Sequence, residues 1–176
     1  MREDIDQLKT KTQAVARLVV RTAEGAVLLN LRPTHAWKNS GRGTPASAIE
    51  TLLMAADGGD VDTLAASILL DAEAREKAQA ILDRRPEAVR ATYGTPEKLI
   101  ALLMARDADI RAMQVLSESQ ANNDALVMLR LQKGDGKTKD EGHAFRREGD
   151  GWRLVIPGKA VEKNGKKLTD PPKKGG

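Results

Sequence analysis

The stretch from Met113 to Ile156 reads MQVLSESQANNDALVMLRLQKGDGKTKDEGHAFRREGDGWRLVI, and it decides the fold class. Its strand-like runs are separated by Asn122-Asn123, Gly134-Asp-Gly136 and Gly149-Asp-Gly151, which are typical of hairpin turns. We therefore predict four antiparallel strands, over Met113–Ser119, Asp124–Gln132, His143–Arg147 and Trp152–Ile156. The second strand is apolar at every position from Leu126 to Leu129, which predicts a central place in the sheet. Phe145 and Trp152 lie close enough to the last turn to pair across it.

Helices precede this sheet, and two of them open on a Thr-Pro pair. Thr44 and Thr95 suit the N-cap position, and the prolines that follow suit the first helical position. The first helix has a one-sided apolar stripe and ends at Gly58-Gly59. The second is apolar over most of its surface, so we expect it to be the most buried. The stripe residues are Ile49, Leu52, Leu53 and Ala56 in the first, and Leu99, Ile100, Leu102, Leu103 and Met104 in the second.

Between the two Thr-Pro helices, aspartates mark further helix starts. Asp60 caps a helix with the stripe Val61, Leu64, Ala65 and Ile68, and Asp71 caps another with Ala74, Ala78, Ile81 and Leu82. A short helical turn then ends at Tyr93-Gly94. Helices followed by a meander of strands predict an α+β domain, in which N-terminal helices pack on one face of a curved antiparallel sheet of about four strands.

Both ends of the chain differ from this body. Over residues 1–35 an apolar repeat predicts a helix that gives way to extended chain near residue 16. The same repeat is compatible with the end of a coiled coil. A competing pattern predicts a hairpin, because β-favouring runs at Val15–Val20 and Ala26–Leu31 flank the turn residues 21–25. Residues 159–176 are rich in Lys and Gly and predict a disordered basic tail. The repeat consists of Ile5, Leu8, Thr12, Val15 and Val19.

Composition narrows the function classes. The net charge of +4 comes mainly from residues 151–176, which carry seven basic and two acidic side chains. Residues 51–110 are instead acidic, with seven basic and eleven acidic side chains. One Phe, one Tyr and two Trp leave little for stacking nucleic-acid bases, so nucleic-acid binding is disfavoured. The absence of Cys excludes disulfides and zinc-thiolate sites. No apolar run reaches the length of a membrane span.

The segment AWKNSGRGTPASAIETLLMAADGGD, residues 36–60, resembles the opening of uncharacterised bacterial proteins in which a Trp-Ala-Asn-x-Gly segment precedes a Thr-Pro helix and a Gly-Asp turn. The segment GDGWRLVIP, residues 149–157, is similar to the last hairpin of NTF2-like (cystatin-like α+β cone) domains. Lys38 and Met54 depart from the pattern, since those relatives tend to have Ala and Trp there. The resemblance implies an NTF2-like domain over residues 36–158.

Several expectations follow from this resemblance. It implies a conical fold with a possible pocket between helices and sheet, and a possible homodimer formed through the sheet. The residues we expect to line the cone are Tyr93, Leu103, Met113 and Glu118. If the natural chain extends upstream, the resemblance also implies a coiled coil in an envelope-anchored, periplasmic parent; otherwise a cytoplasmic location is expected.

No motif assigns a catalytic residue, a metal site or a cofactor. His35 and His143 lack partners at metal-ligand spacing, and the carboxylates of residues 57–62 do not follow a calcium-loop pattern. Gly41-Arg-Gly43 precedes a helix, but no strand leads directly into it and Pro45 lacks an N–H for a phosphate.

The sequence thus favours a non-catalytic domain that binds a protein partner or a small apolar ligand in the cone. One alternative is a small-molecule isomerase, cyclase or hydrolase that uses a buried acid, for which Glu118 beside Tyr93 is the candidate pair. The other alternative is weak anion or nucleic-acid binding through the Lys-rich tail.

Overall fold

The computed structural model describes residues 31–169, which form helices on one face of a mixed sheet. The helices are α1 (Pro45–Gly58), α2 (Val61–Ala66), α3 (Ala72–Asp83), α4 (Glu87–Tyr93), α5 (Pro96–Arg106) and α6 (Gly158–Thr169), and a 3-10 turn covers Thr34–Ala36. The strands are β1 (Arg32–Pro33), β2 (Ile68–Leu70), β3 (Ile110–Ala121), β4 (Asp124–Lys133), β5 (Thr138–Glu148) and β6 (Gly151–Ile156). The predicted α+β class is confirmed.

The six strands lie in the order β1-β3-β4-β5-β6-β2, so β4 is central as predicted. Strands β3 to β6 form the expected antiparallel meander, with register shifts in β3 that bend the strand. The predicted number of four strands is too low, because β1 and β2 are too short for an alternating pattern to reveal them. Strand β2 also makes the sheet mixed, since it pairs with β6 in parallel.

The caps predicted at the two Thr-Pro pairs are confirmed. The Thr44 hydroxyl accepts the Ser47 N–H at 3.1 Å, and the Thr95 hydroxyl accepts the Lys98 N–H at 3.2 Å. The expectation that the second of these helices is the more buried is wrong. Helix α1 buries nine of its 14 residues, whereas α5 buries four of 11. One reason is that Leu102 and Met104 of α5 are only half-buried.

Ile68 is another correction, because it does not extend the stripe of α2. The helix ends at Ala66, where the Ser67 hydroxyl donates back to the Thr63 carbonyl at 2.8 Å. Ile68 then starts β2 opposite Leu154 and is almost fully buried. The i, i+3, i+4 spacing of apolar residues simply continued past the end of the helix.

The side chains of β4 alternate between an inner face of the sheet, which the helices cover, and an outer face. Its alternate residues Ala125, Val127, Leu129 and Leu131 are buried in the core shared with the helices. The residues between them point the other way, and Leu126 is among the most exposed apolar side chains of the described region. Helices therefore cover the inner face and leave this part of the outer face open. The core residues from the helices include Ile49, Leu52, Leu53, Leu64, Ile100 and Leu103.

The last hairpin forms as predicted, but its side-chain pairing differs. Phe145 lies opposite Leu154, and Trp152 lies opposite Arg147, so the two aromatic residues are not direct partners. Both rings are nevertheless buried in the inner-face core. The two residues of the turn, Gly149 and Asp150, set a register in which Phe145 faces Leu154 rather than Trp152.

The predicted disordered tail is wrong for residues 159–169. These residues belong to α6, which packs against α3 through the fully buried Val161. Lys77 of α3 also donates to Glu162 at 2.6 Å. The prediction rested on the high lysine content of the segment. The helix is instead held by the buried Val161 and by the ion pair of Glu162 with Lys77. Residues 170–176 and the helix or hairpin predicted over residues 1–30 lie outside the described residues, and the proposed domain boundaries stay predictions.

A substitution at Gly151 tests how closely Arg42 packs against the turn between β5 and β6. The Trp152 N–H donates to the Arg42 carbonyl at 2.9 Å, and a Cβ on Gly151 would lie 2.6 Å from that same oxygen. We predict that Gly151→Ala lowers the free energy of unfolding by about 1–3 kcal/mol, because backbone must shift to relieve the clash. Urea unfolding measures the change.

Gly43→Ala is the matched control, because no atom lies within 4 Å of the position of its added Cβ. It should change stability by less than about 1 kcal/mol, in either direction. Equal effects of the two substitutions would refute the close approach of Arg42 to the turn.

Candidate functional site

The structure does not bring the four predicted cone-lining residues together. Leu103 and Met113 lie in the same core cluster and are only 1% and 2% exposed. Tyr93 is half-buried at the end of α4, and Glu118 is exposed on β3. Ligand binding by these residues stays a prediction, and the proposed pair of Glu118 with Tyr93 has no contact among those the structure records.

A groove opens between the start of α1 and β3. Its volume is about 390 Å³, which falls within the range of small-ligand sites. Met113 is the one predicted residue that lines it. The full lining is Arg32, Ser40, Ala46, Ser47, Glu50, Met113, Gln114 and Val115.

Glu50 is the polar centre beside this groove, and sequence reasoning missed it. One carboxylate oxygen accepts from Arg32 at 2.6 Å and from the Lys38 N–H at 3.1 Å, and the other accepts from Ser40 at 2.9 Å. The residue is only 7% exposed. It ties β1 and the connector after it to α1. The available signal was a carboxylate placed directly beside the apolar stripe residues Ile49 and Leu52.

Neither Glu50 in the groove nor Glu141 on β5 has the raised pKa that a proton donor at neutral pH requires. Burial alone would raise the pKa of Glu50, but hydrogen bonds from Arg32, Ser40 and the Lys38 N–H outweigh it and hold the pKa below its ordinary value. On β5, the hydrogen bond from Lys139 lowers the pKa of Glu141 against a smaller effect of burial. Both groups are therefore ionised at neutral pH.

His143 lies on the inner face of β5, opposite the buried Val127. Its side chain is 26% exposed, and its Nε2 lies 3.6 Å from a Glu141 oxygen without a hydrogen bond. Burial lowers the pKa of His143, more than the nearby Glu141 raises it. The ring is therefore neutral at pH 7.

The outer face of β4 and β5 carries an exposed apolar patch, which we call the outer-face patch. It consists of Leu126, Met128, Gly142 and Ala144, which form two cross-strand pairs. Leu126 is 47% exposed. A Cβ on Gly142 would lie 3.0 Å from the Met128 sulfur and 3.5 Å from Leu126 Cδ1, so both side chains lie over the glycine. The glycine thereby lets the two side chains form one continuous apolar surface.

Ion pairs lie at both ends of the outer-face patch. Arg130 binds Asp140 through two hydrogen bonds of 2.7 and 2.8 Å, and Arg146 binds Asp124 at 2.8 Å. Both are cross-strand partners in the register of β4 and β5. The charges cancel within each pair, so each end of the patch presents a polar ion pair.

The edge of β3 is a second exposed feature. Within residues 31–169, β1 pairs only with Ala112 and Met113, which leaves the β3 edge from Gln114 to Ala121 without a neighbouring strand. Val115 and Leu116 on this edge are more than one-third exposed. An unpaired edge with exposed apolar side chains is a site for strand addition.

No group of three or more His, Asp or Glu side chains in residues 31–169 is arranged to hold a metal ion. None of the helices in that range is both long and apolar enough to cross a bilayer.

No protein-family model matches the sequence, and no curated protein matches it. Among solved structures, the chain is similar to a proposed NTF2-like transpeptidase of Campylobacter jejuni, with 7% identity and a TM-score of 0.39 over 64% of this chain and 99% of that one. It is also similar to a SEC-C motif-containing protein of Rhodopseudomonas palustris, with 16% identity and a TM-score of 0.40 over 64% and 76%.

A third similar structure is an NTF2-like protein of unknown function from Burkholderia pseudomallei, with 12% identity and a TM-score of 0.31 over 64% of this chain and 86% of that one. NTF2-like proteins are thus among the structural neighbours.

The role of Glu50 gives a pH-dependent prediction. Its folded pKa lies below the ordinary value of 4.5, so its stabilising effect is present above pH 4.5 and is lost as the pH falls through the folded pKa. Glu50→Gln removes the charge while keeping the shape. We predict a loss of about 1–3 kcal/mol in the free energy of unfolding at pH 7, which shrinks below pH 4.5.

Urea unfolding at a series of pH values measures both effects. The exposed Glu87 on α4 offers the control, because Glu87→Gln removes the same charge outside this network. Parallel pH profiles for the wild type and Glu50→Gln would contradict a stabilising role of the Glu50 charge, and coincident profiles would contradict any stabilisation by the network.

Proposed function

We propose that this domain is a non-catalytic protein-interaction domain that associates with a second copy of itself through the outer face of β4 and β5. The observation that carries the proposal is the exposure of Leu126 within a continuous apolar patch. Contiguous exposed apolar patches with a polar rim are typical of protein-interaction sites.

The charges around the outer-face patch favour a second copy over a strongly charged partner. Each end of the patch has one basic and one acidic side chain, Arg130 with Asp140 and Arg146 with Asp124. A two-fold dimer brings the same patch of both copies together, so a patch without net charge meets itself without repulsion. Two sheet faces can also pack against each other over an apolar centre.

The inner face offers little support for acid catalysis or for a deeply held ligand. An acid catalyst in the cone would need a carboxyl group with a raised pKa, but the pKa values of Glu50 and Glu141 are lowered by their hydrogen bonds. The inner face itself is filled by core side chains that include Leu103, Met113 and Val127. The same filling disfavours a small apolar ligand held deep in the cone.

Anion binding through the basic C-terminus is the weaker alternative. Helix α6 presents Lys159 and Lys163 at its surface, but it also carries Glu162, which binds Lys77. Mixed charge of this kind lowers the attraction for a polyanion.

A charge placed in the outer-face patch tests the proposal. We expect Leu126→Glu to raise the dissociation constant of the dimer by at least about tenfold, because two carboxylates would be buried in the apolar centre. Sedimentation velocity over about a hundredfold range of concentration measures the constant.

Ala91→Glu on the exposed surface of α4 is the matched control and should leave the dimer unchanged. A wild-type chain that stays monomeric at the highest concentration would contradict the proposal. A dimer that forms equally well with Leu126→Glu would show that association uses another surface.

A further inference from the structure

We infer that the outer-face patch accepts a second copy in one orientation, with the two-fold axis parallel to β4 and β5 and midway between them. In this orientation β4 of each copy lies over β5 of the other. The orientation rests on the dimer proposed above and specifies how its two copies fit together. Four outward-facing residues of each strand decide it, namely Asp124, Leu126, Met128 and Arg130 on β4 and Arg146, Ala144, Gly142 and Asp140 on β5.

The register of β4 and β5 joins these residues into cross-strand rows. The first and last rows are ion pairs, and in each of them the two charges lie on different strands. The two middle rows join a large apolar side chain on β4 to an Ala or Gly on β5. Every row therefore differs between its two strands. From one end of the patch to the other, the rows are Asp124–Arg146, Leu126–Ala144, Met128–Gly142 and Arg130–Asp140.

Two aligned sheet faces can be related by a two-fold axis in two ways. An axis parallel to the strands exchanges β4 with β5 and keeps the order of the rows. An axis perpendicular to the strands, in the plane between the sheets, keeps β4 over β4 and reverses the order of the rows. The two arrangements therefore bring different residues into contact.

The sizes of the side chains in the middle rows favour the parallel axis. With this axis Leu126 lies over Ala144 of the second copy, and Met128 lies over a glycine, Gly142. Each large side chain thus meets a small residue, and the two faces can approach closely. Met128 leans over Gly142 of its own chain, and its flexible side chain can turn toward the same glycine of the second copy.

The perpendicular axis gives a poorer fit between the same residues. It places Leu126 over Met128 of the second copy, so the large side chains meet each other and hold the sheets apart. Gly142 then faces Ala144 across the space that this separation leaves. Specific interfaces are packed as densely as protein interiors, so an arrangement that leaves such a gap is disfavoured.

The ion pairs add attraction when β4 lies over β5. Arg130 then faces Asp140 of the second copy, and Arg146 faces its Asp124. Within its own chain Arg130 donates through Nε and Nη2, and Arg146 donates through Nε alone. Within residues 31–169 the other guanidinium nitrogens of both residues have no hydrogen-bond partner, so they are available to the carboxylates of the second copy. Opposite charges also meet with the perpendicular axis, so side-chain size decides between the two arrangements.

Charge reversals on separate chains distinguish the two axes. Arg130→Asp makes one end of the patch doubly negative, and Asp140→Arg makes the same end doubly positive. With the parallel axis these two ends face each other, so the two variants attract each other when they are mixed. We expect the dissociation constant of their heterodimer at low salt to be at least about tenfold lower than that of the control mixture below. Fluorescence-detected sedimentation of a labelled Arg130→Asp chain, titrated with the other variant, measures it.

Arg130→Asp mixed with Asp124→Arg is the matched control. Asp124→Arg creates the same double positive charge, but at the opposite end of the patch. The two altered ends lie apart with the parallel axis and face each other with the perpendicular axis. A tighter heterodimer in the control mixture, or equal dissociation constants in the two mixtures, would overturn the inference. Surface ion pairs add little to folding stability, so the variants should fold, and circular dichroism checks this.

Nuclear Overhauser contacts between an isotope-labelled copy and an unlabelled copy provide a measurement on the wild-type chain. The strongest contact of the Leu126 methyl groups across the dimer should be with the Ala144 methyl group. A strongest contact with the Met128 methyl group would instead indicate the perpendicular axis and overturn the inference.

These experiments separate the existence of the dimer from its orientation. A wild-type chain that stays monomeric contradicts both the proposed function and the orientation. A dimer that Leu126→Glu dissociates, but in which the control mixture gives the tighter heterodimer, contradicts the orientation alone.

Discussion

Helices cover only one face of the central sheet, and this one-sided burial is the constraint on which the rest of the structure depends. Along β4, Val127 and Leu129 are fully buried beneath the helices, and the residues between them must point away. Because a strand alternates strictly, the apolar Leu126 and Met128 are placed on the open face. The same pattern that builds the core therefore also creates the surface we propose for association.

A second constraint acts where the chain enters the sheet. Glu50 binds Arg32, Ser40 and the Lys38 N–H, which fixes the connector against α1, and the buried Trp37 donates to the Arg32 carbonyl at 3.0 Å. These bonds hold β1 in place although it has only two residues. They also position the chain at the start of the free β3 edge. The groove and the short edge strand therefore share one polar network.

The sequence predicts well where local chemistry decides the structure. Thr44 and Thr95 cap their helices, and the Gly-rich turns set the meander of β3 to β6, because both depend on residues close in sequence. Prediction fails where distant contacts decide. Ile68 leaves a helical pattern to pair with β6, and Val161 anchors a lysine-rich helix that composition assigned to a disordered tail. Neither contact leaves a local signal.

The proposed interface on β4 and β5 was also predictable only where local sequence decides the structure. The run from Leu126 to Leu129 is apolar on both faces of β4, but only the tertiary structure shows which face the helices leave open. The most direct test is the amide NMR spectrum of the full chain during dilution. Signals of Leu126, Met128, Gly142 and Ala144 should shift with concentration, while those of the buried Leu64 and Ala78 stay fixed. A spectrum that does not change with concentration, or shifts confined to another surface, would contradict association through the outer face.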